Sequence, residues 1–285
     1  MKIGKYEVFE LVLSYFKLDG GAMFGVVPKT LWEKENFADE HNRVKLACRS
    51  LLLKSQGKNI LIDAGLNLNW NEKFKKIYSP EFVYQNSIDE LLEKYNLNSD
   101  LITDVILTHL HFDHCGGCAV YSNGKYEPTF KYAKHHIQKT AFDWALNPCE
   151  KDRASFVRDY FFPLISNNQF VFHYGEFVFD ENIKIFSLNG HTFGMQAALI
   201  EDENYKLFYS SDLFPMKSNF YLPYISAFDL QPLETLKEKK FFLEQAVANN
   251  WILILNHEPS NCAIKPNRNE KGYNIETAFE KLGDI

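Results

Sequence analysis

Thr108-His109-Leu110-His111-Phe112-Asp113-His114-Cys115-Gly116-Gly117 follows the apolar run Val105-Ile106-Leu107, and its reading decides the fold of this 285-residue chain. Four potential metal ligands stand within six residues. Shuffling the same composition would give that spacing of three His and one Asp roughly once in two thousand chains. His109 and His111, two apart, leave an extended strand end on the same side and can grip one cation. Asp113 and His114 follow where the chain turns and can grip a second. Imidazoles with a carboxylate suit Zn²⁺, and also Mn²⁺, Fe²⁺ or Co²⁺. As plain buried side chains, four such groups together would be costly. Gly116 and Gly117 let the backbone turn away tightly after the ligands.

One cluster cannot complete two coordination shells, so further ligands are expected at other strand ends. Gly190-His191 follows a predicted strand at 184–188, Asp212 follows one at 205–210, and His257 follows one at 251–255. Asp63 ends the short apolar run Ile60-Leu61-Ile62, before Ala64-Gly65. Each polar residue sits where a strand hands over to a loop, the usual place for a site built on a rigid sheet. Further strands are expected at 5–16, 45–55, 103–108 and 197–200. Helices are expected after the Ser87-Ile88-Asp89-Glu90 capping box, from Pro232 to about 248, and from about 275 to 282 before Gly283. The segment 121–172 reads as an aromatic-rich helical insert in a single domain of 1–285. His135 and His136 read there as part of a solvated helix face among Lys131, Lys134 and Lys139, and His41 and His173 as exposed residues without partners. Mixed strands and helices with short connections predict sheets packed on each other with helices outside.

Composition narrows the function classes. The chain is 46% apolar and 24% charged, with 31 basic against 37 acidic residues and a net charge of −6. These are ordinary globular proportions, and the acidic balance argues against nucleic acid held by phosphate neutralisation. No apolar run approaches the ~18–20 residues that span a bilayer, so no membrane partner is expected. Glu7 and Glu10 interrupt the apolar N-terminal segment, which has no small-residue cleavage site, so no signal peptide is read there. Five cysteines, at 48, 115, 118, 149 and 262, do not suggest a disulfide framework, and a reducing cytoplasmic setting is expected. Cys115 and Cys118 form a Cys-x-x-Cys outside the strand–helix context a thiol-redox site needs; small buried thiols are the simpler reading.

The ordered set Asp63, His109-x-His111-x-Asp113-His114, Gly190-His191, Asp212 and His257 resembles the five motifs of the metallo-β-lactamase fold hydrolases, across about residues 45–260. That resemblance implies an α/β, four-layer αββα sandwich of two mixed sheets, with a dinuclear metal site at one edge. By position it implies one metal on His109, His111 and His191 and the other on Asp113, His114 and His257. Asp212 would bridge them and Asp63 would support the site from behind. Two divalent cations, zinc first by ligand type, would lower the pKa of a shared water to near 7. The expected chemistry is attack on a carbonyl by such a metal-bridging hydroxide, with Asp113 expected to orient it and shuttle its proton.

Within the family, the compact ligand set and the Gly-His-Thr at 190–192 resemble the lactonase branch, which includes quorum-quenching enzymes that open acyl-homoserine lactones. Such enzymes often carry a tyrosine three residues past the bridging Asp, where this chain has Pro215; Tyr221 or Tyr224 is the expected substitute. Greasy segments holding Met23, Phe24, Phe214, Tyr221 and Tyr224 suggest a small substrate with a carbonyl head and an apolar part, bound by a monomer or homodimer. The alternatives are a glyoxalase II-like thioesterase or a phosphoesterase on the same site and, from another class, an iron-dependent persulfide dioxygenase.

Overall fold

The computed structural model describes residues 1–285. Two sheets face each other. The first has the spatial order Lys2–Ile3, Tyr6–Asp19, Arg43–Ser55, Lys58–Ile62, Asp104–Ile106, Lys134–Gln138 and Phe170–His173, with Glu81–Phe82 added on Tyr6–Asp19. The second runs Phe177–Asp180, Ile183–Leu188, Met195–Glu201, Lys206–Tyr209, Ile252–Ile254, Ala263–Asn269 and Gly272–Phe279. Both are mixed: Asp104–Ile106 pairs in parallel with Lys58–Ile62, and Lys206–Tyr209 with Ile252–Ile254, while the hairpin pairs are antiparallel.

The layering follows from side-chain alternation. Leu51 and Leu53 face the second sheet and share a buried cluster with Ile60, Ile62, Ile185 and Ile200. Leu52 and Leu61, one residue out of phase, point the other way into a cluster with Phe16, Phe112 and Phe130 under the outer loops and short helices. On the far side, Phe186, Phe208 and Leu253 pack against Phe242, Leu243 and Ala246 of helix Pro232–Ala248. A strand buried on both faces needs a continuous apolar run, and 51–53 and 60–62 supply it. The result is the αββα sandwich. No helix is long and apolar enough to cross a membrane.

Helix Pro232–Ala248 has the expected bounds. Several expectations fail for identifiable reasons. The C-terminal segment is no helix: Gly272–Phe279 is an edge strand paired with Ala263–Asn269, followed by a short turn at Leu282–Asp284. The insert holds helices Lys139–Leu146 and Phe162–Ser166 but also four strands, because Asn123 (φ +50°) and Gly124 (φ +85°) make a tight hairpin turn between Ala119–Ser122 and Lys125–Pro128. His135 and His136 lie inside the strand Lys134–Gln138 of the first sheet, 0% and 7% exposed, not on a solvated helix. There His136 Nε2 is 2.8 Å from Asp104 Oδ1, and its Nδ1 is 3.0 Å from His173 Nε2, so His173 has a partner as well. The capping box is also replaced. Ser87 Oγ accepts from Asp89 N, and the Glu90 carboxylate turns back to accept from the backbone N–H groups of Gln85 and Asn86.

Candidate metal centre

The ends of five strands converge at one edge of the sandwich. Asp63 ends Lys58–Ile62; His109 and His111 follow Asp104–Ile106, and Asp113 and His114 ride the helical turn Phe112–Cys115. His191 follows Ile183–Leu188, Asp212 follows Lys206–Tyr209, and His257 follows Ile252–Ile254. The two glycines after the cluster serve close approach. A Cβ on Gly117 would lie 2.1 Å from Ala64 O, and one on Gly116 2.5 Å from Asn67 N. Only glycine lets this turn press against the loop that begins at Asp63.

Two groups of donor atoms result: His109, His111, His191 and Asp212 in one, Asp113, His114 and His257 in the other. His111 Nδ1 lies 3.0 Å from His109 Nε2 and 3.2 Å from His191 Nε2. Asp212 faces both groups. Its Oδ2 is 3.2 Å from His191 Nε2, and its Oδ1 is 3.1 Å from His257 Nε2 and 3.4 Å from His114 Nε2.

The hydrogen bonds behind these groups place the ring protons. His257 Nδ1 is 2.7 Å from the carbonyl of Ala47, which can only accept. His114 Nδ1 is 2.8 Å from Asp63 Oδ2, and His191 Nδ1 is 2.8 Å from Asp229 Oδ1. Thr108 Oγ1 donates to Asp63 Oδ2 at 2.9 Å and therefore accepts from His109 Nδ1 at 3.0 Å. Four Nδ1 atoms thus point outward to hydrogen-bond partners, which turns four Nε2 atoms inward beside carboxylates. A proton on His111 Nδ1 could serve at most one of the two Nε2 atoms it faces, and the Nε2 atoms of His111 and His114 are buried without a hydrogen-bond partner, so ring nitrogens here are left unmatched unless a cation lies among them. This donor set therefore fits metal ions, and its backing carboxylates are the partners that orient metal-binding imidazoles.

The electrostatics divide the imidazoles. Burial, and after it the neighbouring imidazoles, holds His109 and His111 well below the usual histidine range, so their lone pairs are free at neutral pH. Burial opposes charging of His114 and His191 too, but Asp212 with Asp113 and Asp63 raises His114, and Asp212 with Asp229 raises His191, so these two favour a positive charge beside Asp212. Burial opposes ionisation of Asp212, but His114, His257 and His191 outweigh it and hold the carboxyl well below its ordinary value. Asn256 Nδ2 donates to Asp212 Oδ1 at 2.8 Å. Cys115 and Cys118 are buried beside the site, and burial pushes both thiols well above their ordinary range. They present no thiolate for redox chemistry at neutral pH.

The loop before His191 is held by helix Pro232–Ala248: the Glu238 carboxylate accepts from Asn189 N at 2.6 Å and Gly190 N at 3.1 Å. Burial pushes the Glu238 carboxyl up to about 7 from 4.5, against the two N–H groups that favour its charged form. A folded-state value above the unfolded one means the native protein holds the extra proton. That contribution is full below about pH 4.5 and is lost as pH rises through about 7. Glu238→Gln is expected to flatten this fall, so melting temperatures of the two proteins should differ in slope across that window and run parallel above it.

A cavity of about 310 Å³ opens over the centre, lined by His111, Asp113, His191, Asp212 and His257 and walled by Met23, Leu18, Leu46, Tyr78, Phe112, Pro215 and Phe228. Of the five expected substrate contacts only Met23 lines it. Phe24 is turned into the core against Trp32 and Tyr224. Phe214 is fully buried in the outer cluster with helix Pro232–Ala248. Tyr221 is 46% exposed, Tyr224 packs edge-on against Phe24, and the carbonyls of both accept from Lys239 Nζ. Tyr78, Asp229, Thr108 and Asn256 also belong to the site. Asp229 stands alone before Pro232 and no motif marks it, whereas Thr108 directly precedes His109.

A second, apolar cavity of about 270 Å³ adjoins the first, with Tyr78 and Phe112 common to both and Trp70, Phe74, Val157 and Tyr160 beyond. Lys151 is the one Lys or Arg lining the metal cavity. Its ammonium donates to the carbonyls of Ala227, Phe228 and Asp229 at 2.8, 2.9 and 3.0 Å, which uses all three of its donors.

A family model described as the metallo-beta-lactamase superfamily matches residues 43–257. Among solved structures, a probable metal-dependent hydrolase from Staphylococcus aureus is 27% identical, with a TM-score of 0.87 and 99% of each chain covered. AidC, a dizinc quorum-quenching lactonase in complex with an N-acyl-L-homoserine product, is 21% identical at a TM-score of 0.79, covering 96% of this chain and 95% of that one. A B. thuringiensis AiiA variant with N-decanoyl-L-homoserine bound at its active site is 20% identical at a TM-score of 0.71, covering 91% and 95%. The last two likenesses are of fold.

Proposed function

The chain belongs to the metallo-β-lactamase superfamily, and we propose that it is a dinuclear-metal hydrolase acting on a lactone, of the acyl-homoserine type, or a related ester with an apolar tail. The observation that carries this reading is the pair of converging donor groups joined by Asp212 beneath a cavity that adjoins an apolar one. Two divalent cations, zinc by ligand chemistry, would supply Lewis acidity and a water acidic enough to ionise near neutral pH. His109, His111 and His191 would hold one ion, Asp113, His114 and His257 the other, and Asp212 both.

The chain's own residues supply the rest. Asp113 lines the cavity, where it orients the attacking water and passes its proton to the leaving group. Tyr78 takes the place that Pro215 cannot fill. Its ring is fixed by Trp70, Phe74 and Phe112 at centroid distances of 5.6, 5.9 and 5.1 Å. Burial, then the Asp113 charge, raises its phenol above the ordinary value, so the hydroxyl stays protonated and available to donate to the substrate carbonyl oxygen. Tyr78→Phe is expected to lower kcat by about 10²-fold with KM little changed, as for the loss of one oxyanion donor.

A glutathione thioester is disfavoured, because Lys151, the one Lys or Arg lining the cavity, has no donor left for its carboxylates. The apolar cavity fits an acyl tail. The test is acid release by zinc-loaded protein from N-decanoyl- and N-butanoyl-L-homoserine lactone, with p-nitrophenyl phosphate alongside. The expected result is faster turnover of the longer lactone, with that preference lost in Trp70→Ala. Turnover of the phosphoester alone would overturn the assignment.

A further inference from the structure

Arg49 lies in the strand Arg43–Ser55 with 4% of its surface exposed, between the two sheets and below the metal centre. Its Nη1 donates to two carbonyls of one loop, that of Leu255 and, at 2.8 Å, that of Glu258. The backbone joins in: Arg49 N donates to Asn256 O and Ala47 N to His257 O, each at 2.9 Å. The loop 255–258 is thus laid along the strand as an extra pairing partner outside the regular ladder. It carries His257 and also Asn256, whose amide donates to Asp212 Oδ1 at 2.8 Å.

A guanidinium buried this deeply is expensive unless it is paired. Its nearest carboxylate oxygen, Glu10 Oε2, is 4.0 Å from Nε, and neither of those atoms has a hydrogen-bond partner. The two loop carbonyls are therefore its main compensation. With the backbone of 255–258 held against the strand in this way, the Asn256 amide and His257 Nε2 reach Asp212 Oδ1 at 2.8 and 3.1 Å.

We propose that Arg49 is a positioning residue for one half of the centre: by clamping the loop 255–258 it aims His257 Nε2 and the Asn256 amide, and so sets the metal group of Asp113, His114 and His257. This rests on the dinuclear reading above. His109 and His191 are oriented instead by Thr108 and Asp229, and their group meets the clamped loop only through Asp212, whose Oδ2 faces His191 while its Oδ1 takes the Asn256 amide.

The test is titration of metal-free full-length protein with Co²⁺ against a competing chelator, followed by absorption, for wild type, Arg49→Met, Arg49→Lys and His257→Ala. Arg49→Met should weaken one equivalent by about 10- to 100-fold, the range for loss of a group that orients a ligand. The affected equivalent should be the one His257→Ala removes, while the other stays within about threefold. Arg49→Lys keeps a charged donor for the same carbonyls, and a smaller loss at the same equivalent is expected. It also serves as the informative variant if the methionine protein does not fold. Equal weakening of both equivalents, or no change in either variant, would overturn the proposal. Failure of the wild type to bind two equivalents would instead overturn the dinuclear reading.

Discussion

Asp212→Ala is expected to lower lactone hydrolysis by on the order of 10³-fold or more and to leave fewer than two tightly bound metal ions per chain. One carboxylate reaches both donor groups, with Oδ2 at 3.2 Å from His191 Nε2 and Oδ1 at 3.1 Å from His257 Nε2. Removing it leaves two separate donor sets, His109, His111 and His191 in one and Asp113, His114 and His257 in the other, without the shared anion that would offset two adjacent cations. A paired-metal site supplies several kcal/mol of charge stabilisation, and each ~1.4 kcal/mol is tenfold in rate. Metal content and kcat measured on one preparation check this. Two retained equivalents with kcat within tenfold of wild type would show that the centre does not depend on the bridge.

Asp63→Ala should unfold more easily by about 3–5 kcal/mol in urea, the cost of removing one partner from a buried charged pair. The Asp63 carboxylate accepts from Thr108 N at 2.8 Å, Thr108 Oγ1 at 2.9 Å and His114 Nδ1 at 2.8 Å, with Tyr209 Oη 3.2 Å away. Alanine would leave these donors buried and unmet. Asp63 also sits at φ +59°, a left-handed conformation that costs alanine roughly a further 1–2 kcal/mol. Asp63→Asn keeps a residue that tolerates this conformation and should fall between the two. Because His114 and Thr108, and through Thr108 His109, take their orientation from Asp63, metal affinity should drop with stability. A loss below about 1 kcal/mol would mean that the loop 63–67 is held by other contacts.

Much of the centre was legible because its chemistry is local in sequence. His109, His111, Asp113 and His114 lie within six residues, and the other ligands each end an apolar strand. What local pattern cannot carry is the direction a loop faces. Phe24, Phe214 and Tyr224 are as greasy as Tyr78 and Phe112, but packing turns the first three into the core and outer layers. Asp229 reaches His191 from 38 residues away, and Arg49 reaches the loop 255–258 from more than 200. Neither spacing leaves a signal in one chain.

The misread elements have different causes. The C-terminal strand alternates too weakly to be told from a short helix, and only its partner Ala263–Asn269 decides it. The hairpin at Asn123-Gly124 was marked by the strongest short-range turn signal there is, and the surrounding aromatic density obscured it. His135 and His136, set among lysines, looked solvated, whereas strand pairing on both sides buries them in the first sheet.

The most direct test of the central claim is the rate of acid release from N-decanoyl-L-homoserine lactone as zinc is added stepwise to the metal-free protein. Release is expected to be negligible without zinc and to rise to a plateau at two equivalents per chain, with no plateau at one. Two bound zinc ions with no acid released would contradict the lactonase assignment, and a plateau at one equivalent would contradict the dinuclear centre.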